Sequence, residues 1–325
     1  MVECINPKRW RLLSGENKWK NLLHPLDSDL QKYLIHYGAM AQATNDAFDL
    51  DLLSKYVGSS KFSRKNMLSR VGLVKGNPYK YKVVKFIYAT SAITVPKSFI
   101  LKSMSEDSWC KESNWMGYIA VATDEGKAAL GRRDILVAWR GTIAPIEWMK
   151  DFEFPLVSGS EILGESNNAK VHQDRQQSKQ SLPRDSLSLR LPIGRGQNFR
   201  DATELMKDLR ILKTRNAPDI VPTVPPITVG YTPIGVELLI DSRKSKYLNP
   251  GDTYTWHNLE AGYLHTLAIQ NGDKVERDLA LVNKGSGALK PKYSIPFSWW
   301  CEENKGMVQN SDGSWQWRDH ETDED

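Results

Sequence analysis

Cysteine is scarce. Cys4, Cys110 and Cys301 are the only three in 325 residues, far apart and with no Cys-x-x-Cys pair. That excludes a disulfide framework and a cysteine-built zinc site. Long apolar runs are also missing, since none approaches the roughly 20 residues that span a bilayer. The first ten residues, MVECINPKRW, contain neither the apolar core of a secretory signal nor the Arg- and Ser-rich pattern of a transit peptide. These absences predict a soluble chain in a reducing compartment, the cytosol. Charge of one sign is lacking too. Lys and Arg number 44 against 39 Asp and Glu, a net charge of +5. A mild excess of this kind suits an anionic surface such as lipid headgroups. It is not the clustered basic footprint of a nucleic-acid binder.

What is present is apolar and aromatic. The chain is 40% hydrophobic and 10% aromatic, with eleven Trp, ample for a core. After a Trp- and Leu-bearing stretch from Trp10 to Leu23, Asp27 or Ser28 is placed to cap a helix. Leu30, Leu34, Tyr37, Met40 and Ala41 form its apolar face at spacings of three and four. Strands are predicted at Lys82–Ala89 and Gly117–Ala122, the second ending in the turn-like Thr123-Asp124-Glu125-Gly126. Asp134–Arg140 is apolar on successive residues, the pattern of a central strand covered on both faces. Glu147–Phe154 reads as a short amphipathic helix. From Ser158 to Gln197 the composition turns polar, dense in Ser, Gln, Arg and Gly, with no period. Pattern returns with a helix from Asn198 and strands at Leu209–Arg215 and Val236–Ile240. Trp256–Leu267 reads as one helix and Asp278–Asn283 as helix or turn. The acidic end, Asp319–Asp325, reads as a solvated terminus. Domain organisation is read as one α/β domain over residues 1–325, with 158–197 as an atypical segment.

Three features carry chemistry. Asp219 stands in Arg215-Asn216-Ala217-Pro218-Asp219-Ile220-Val221-Pro222, just after a strand. By itself it is a turn residue, and His257 in Trp256-His257-Asn258-Leu259-Glu260 is by itself a structural histidine. Their order matters, because an α/β-hydrolase places its triad in the chain order Ser, acid, His. The acid fixes the imidazole tautomer and stabilises the imidazolium, and the histidine takes the nucleophile's proton. Arg140-Gly141-Thr142 ends a strand where an oxyanion donor belongs, which makes Thr142 the candidate donor. His265 is the fallback histidine. No Gly-x-Ser-x-Gly occurs anywhere, so the nucleophile serine is not found. Ser158, Ser160, Ser166, Ser178, Ser181, Ser186 and Ser188 lie nearby, but none follows an apolar strand.

Together these residues resemble the fungal-lipase-like, or class 3 lipase, family, and among its members the plant class-II phospholipase A1 enzymes. The likeness rests on Trp10–Leu23, Tyr37–Gln42, Trp139–Thr142, Arg215–Pro222, Lys244–Leu248 and Trp256–Glu260. In the tail it rests on Ala280–Lys284, Trp299–Glu302 and Asn304–Val308. It implies an α/β-hydrolase fold and hydrolysis of the sn-1 acyl ester of glycerophospholipids by a Ser–Asp–His triad, with no metal or other cofactor. Asp219 and His257 match the family's acid and histidine. The implied partner is a phospholipid or other acyl-lipid substrate with possible peripheral membrane contact, and no protein partner is indicated. Gly262 looks like a one-residue insertion between His257 and His265. The departure falls after Val171-His172, where the family has a helix, a buried strand and Gly-His-Ser-Leu-Gly. Here Asp174–Leu191 resembles nothing in that pattern, and the likeness resumes near Pro192. The central βα unit is therefore disrupted. The competing expectation is a catalytically dead lipase-fold remnant with a lipid-binding or protein-interaction role.

Overall fold

The computed structural model describes residues 5–50, 54, 56–74, 77–90, 113–141, 156–158, 170–172, 194–195, 206, 208–223, 231–232, 234–269, 288–290, 307–309, 315–317 and 320–321. Thr142, the three cysteines and Glu147–Phe154 lie outside this set. So do Ser160 to Ser188 of the candidate serines, the helix expected from Asn198, Asp278–Asn283 and Ser298–Cys301.

The expected first helix is α1, Ser28–Asp46. Asp27 is its cap, its Oδ1 accepting the backbone N–H groups of Asp29 and Leu30, each at 3.1 Å. Those are two of the donors that a helix start leaves without an internal partner. Leu30, Leu34 and Met40 of the predicted stripe are buried, and Tyr37 and Ala41 are half-buried. The chain divides into two compact units, and the division falls inside α1, between Ile35 and His36.

The first unit holds His36–Gly141 with both chain ends. Its sheet is antiparallel, in the order β1 (Tyr81–Thr90), β2 (Ser113–Ala122), β3 (Ile135–Trp139). Trp115, Tyr118 and Ala120 are fully buried, and the Tyr118 hydroxyl donates to the Met40 carbonyl at 2.7 Å. Gly117 is obligatory. It has φ +148°, and a Cβ there would sit 2.0 Å from the Ala138 carbonyl oxygen of the neighbouring strand.

Three expectations need correction in this unit. β3 was expected to be a covered central strand. Among the described residues it is the outer strand of its sheet, and Ile135 is 66% exposed. An apolar run cannot distinguish a doubly covered strand from an antiparallel one open on a side. The turn expected at Thr123–Gly126 is instead the start of a helix, α2 (Asp124–Leu130). Thr123 caps it by accepting the Gly126 N–H at 3.2 Å. The acidic end is not wholly solvated either. Glu321 is buried and accepts hydrogen bonds from Ser63 Oγ, Asn66 Nδ2 and Arg70 Nε, the last at 2.7 Å. Upstream of it, Met307–Gln309 pairs antiparallel with Trp315–Trp317.

The second unit holds Lys8–Ile35 and Thr142–Glu276. Four short strands pair antiparallel in the order β4 (Leu156–Ser158), β5 (Lys170–His172), β6 (Gly194–Arg195), β8 (Tyr231–Thr232). β5 and β6 thus lie inside the segment 158–197 that was expected to be without pattern, and they flank Asp174–Leu191. Lys170 faces Arg195 and Val171 faces Gly194, so the chain leaves and re-enters at adjacent positions. The remaining strands, β7 (Leu212–Asn216) and β9 (Val236–Ile240), run parallel in register from Leu212↔Val236 to Asn216↔Ile240. They are the parallel pair among the described residues. Leu212, Leu238 and Ile240 are buried, while Lys213 and Arg215 meet Glu237 across the strands. Burial lowers the Lys213 ammonium below its usual range.

Candidate active site

The site is built at the carboxyl end of β7, the end at which open α/β sheets place their ligands. Asn216, the last residue of β7, is fully buried and ties three segments together. Its Nδ2 donates to Ser242 Oγ and to the Trp256 carbonyl, both at 2.9 Å, and its Oδ1 accepts the Ser242 N–H at 2.9 Å. One side chain therefore joins the end of β7, the turn after β9 and the residue preceding His257. A tight turn follows, in which the Asp219 N–H donates to the Asn216 carbonyl at 3.0 Å.

Asp219 is 1% exposed. A bare carboxylate cannot be buried at tolerable cost, and this one is met by three donors. The Val221 N–H donates to Oδ1 at 3.0 Å. His257 Nδ1 lies 2.8 Å from Oδ2, and the Tyr263 hydroxyl donates to the same oxygen. His257 ends the short helix α3, Thr253–His257. Asp252 starts that helix, its Oδ1 accepting the Thr255 N–H at 2.8 Å. The His257 side chain is 11% exposed. The carboxylate on Nδ1 selects the Nδ1–H tautomer, which leaves Nε2 as the basic nitrogen.

The single helix expected over Trp256–Leu267 is interrupted. Asn258 is extended and starts a new element, its Oδ1 accepting the Glu260 and Ala261 N–H groups at 3.0 and 2.9 Å. The turn Leu259–His265 is π-helical, and α-helical geometry resumes only at Thr266. A π turn holds one residue more than an α turn, so it is the geometry that a one-residue insertion, as expected at Gly262, would take. At Gly262 a Cβ would stand 2.4 Å from the Trp256 carbonyl oxygen.

His265, the fallback, is fully buried, and its Nε2 lies 2.9 Å from Ser245 Oγ, with the Tyr247 ring edge-on at 5.8 Å. The Asp219 carboxylate is occupied by His257 and Tyr263. Arg140 is buried, donates from Nε to the Trp115 carbonyl at 3.1 Å and lies 4.1 Å over the Phe48 ring. Among the described residues no group of three or more His, Cys, Asp or Glu is arranged to hold a metal ion. Sequence reasoning missed Asn216 and Tyr263. Asn216 stands in the Arg215–Pro222 stretch but an Asn at a strand end reads as ordinary structure, and Tyr263, outside both motifs, reads as part of an apolar helix pattern.

An acid after a parallel strand, bonded to a histidine from a later loop, is the acid–base arrangement of lipase-type α/β-hydrolases. The chain belongs to the plant phospholipase A1-II family. It is 41% identical to phospholipase A1-IIgamma of Arabidopsis thaliana, an alignment covering 98% of this chain and 94% of the relative. It is 40% identical to phospholipase A1-II 1 of Oryza sativa subsp. indica, covering 98% and 97%. No family model matches the chain. A solved structure of Rhizomucor miehei lipase with its propeptide aligns over 66% of the chain at 15% identity, with a TM-score of 0.37. The two alignments run over 396 and 387 residues, more than the 325 of this chain. The relatives therefore contain residues that this chain has no counterpart for.

Proposed function

We propose that this chain derives from a phospholipase A1 acting on the sn-1 ester of glycerophospholipids, and retains the acid–base half of the site without efficient hydrolysis. In a complete site, the histidine Nε2 takes the serine proton as the serine oxygen bonds to the ester carbonyl carbon. The tetrahedral oxyanion is held by backbone N–H and hydroxyl donors, the role assigned here to Thr142. The imidazolium then gives its proton to the departing glycerol oxygen, and water repeats the sequence on the acyl-serine. Asp219 orients the ring and stabilises its charged form throughout.

One observation supports this reading above others. The hydrogen-bonded Asp219–His257 pair is intact, yet the chain has no Gly-x-Ser-x-Gly and is shorter than the alignments to its relatives. A serine outside a held turn is a poor nucleophile, because only a positioned base activates its hydroxyl. Without one triad member, a site retains at most about 10³–10⁴-fold over water. Scattered cysteines suit a cytosolic setting. Glu147–Phe154, with Trp148, Met149, Phe152 and Phe154 beside Lys150, is the proposed membrane-contacting stretch.

The test is labelling of the purified chain with a fluorophosphonate, followed by digestion, alongside release of lysophospholipid from phosphatidylcholine vesicles. No serine labelling above a heat-denatured control is expected, together with retained vesicle binding. A labelled serine peptide that disappears in His257→Ala would overturn the reading.

A further inference from the structure

We infer that Tyr263 is a positioning residue for the Asp219–His257 pair, sharing the carboxylate oxygen that holds the imidazole and so setting how basic His257 is. The inference rests on the reading of that pair as the acid–base half of a hydrolase site, and adds to it a residue that neither motif contains.

Two donors converge on a single oxygen, Asp219 Oδ2: His257 Nδ1–H at 2.8 Å and the Tyr263 hydroxyl. The other oxygen takes the Val221 N–H. Each donor to a carboxylate stabilises its charged form and draws off density that would otherwise hold the imidazolium. A second donor on the same oxygen therefore weakens the pull on His257 while fixing where the carboxylate points. Tyr263 reaches this position through the π turn. Gly262 lets that turn lie against the end of α3, where any side chain would strike the Trp256 carbonyl. The tyrosine is 9% exposed, and its bond to Asp219 is buried. Among the described residues, the other charged group near the pair is Arg215 on β7, which interacts electrostatically with both Asp219 and Tyr263 and is itself paired with Glu237 of β9. Glu260 is buried in the π turn itself.

The experiment is an NMR titration of the full chain carrying 13C-labelled histidine and tyrosine rings, wild type against Tyr263→Phe. The substitution removes one oxygen and keeps the ring. The His257 midpoint is expected to move upward in the variant, since a donor to the carboxylate has been removed. The Nδ1–H proton is expected to move downfield as its bond to Asp219 strengthens. A role in packing alone would lower the melting temperature and leave the His257 midpoint unchanged, and that result overturns the inference. A second measurement needs no variant. In the wild type, the Tyr263 ring carbon bearing the hydroxyl should shift at the pH where His257 titrates, and a flat trace there also overturns it. Fluorophosphonate labelling addresses the proposed function separately. A His257-dependent labelled serine would retire that proposal and leave the Tyr263 result standing, while an unmoved His257 midpoint would do the reverse.

Discussion

Acid should destabilise the first unit through one residue, His36. Its ring lies in an aromatic box with centroids 4.9 Å from Tyr37, 4.7 Å from Tyr79 and 5.6 Å from Tyr81. Its Nε2 is buried with no hydrogen-bond partner. Burial pushes the imidazole from its ordinary 6.5 down to about 4, against the opposing pull of Asp134. The nearby charged groups are Asp134 and Arg132, with Tyr37 and Tyr81 donating to the Asp134 carboxylate. Above pH 6.5 the ring is neutral both folded and unfolded, so it contributes no pH dependence. Between 6.5 and about 4 the unfolded chain takes a proton that the folded chain refuses, so stability falls as pH falls. At 1.36 kcal/mol per unit, the loss approaches about 3 kcal/mol by pH 4. The perturbation is His36→Phe, which fills the box and cannot titrate. The assay is the urea midpoint by tryptophan fluorescence from pH 8 to pH 4.5. The wild type should lose stability steeply below pH 6.5 and the variant much less. Contributions of the other groups cancel in the difference. Parallel pH profiles for the two proteins would refute the argument.

Asn216→Ala removes three hydrogen bonds, two of them buried, that bind β7, the turn after β9 and Trp256. At about 1 kcal/mol each it should cost about 3 kcal/mol by urea titration and abolish the Nδ1–H resonance of His257. Glu321→Ala leaves Ser63, Asn66 and Arg70 without their shared acceptor, and should cost about 1–3 kcal/mol, read as a lower melting temperature.

Much of the candidate site was legible because its chemistry is local in sequence. A carboxylate three residues past a strand end and a histidine in a later loop already follow the chain order of an α/β-hydrolase, and the structure brings Asp219 and His257 within 2.8 Å. Their supports were not legible. Asn216 acts across separations of 26 and 40 residues, and no local pattern records such a contact. Glu321, read among solvated acids, is held by residues more than 250 positions earlier in the chain. β3 was misplaced because an apolar run reports that a strand is buried somewhere but not where it stands in its sheet.

From the residues alone came the helix capped at Asp27 or Ser28, the strands that end before Gly141 and Asp219, the family, and the loss of the nucleophile turn. Each is written in short-range spacing or in a motif that is present or missing. Tertiary structure decided the rest: that β5 and β6 pair within the atypical segment, that Leu259–His265 winds as a π turn, and that Tyr263 shares the acid with His257. These depend on backbone paths folding back on one another. A side chain's partner in a buried polar network is set by that return path rather than by its neighbours in sequence.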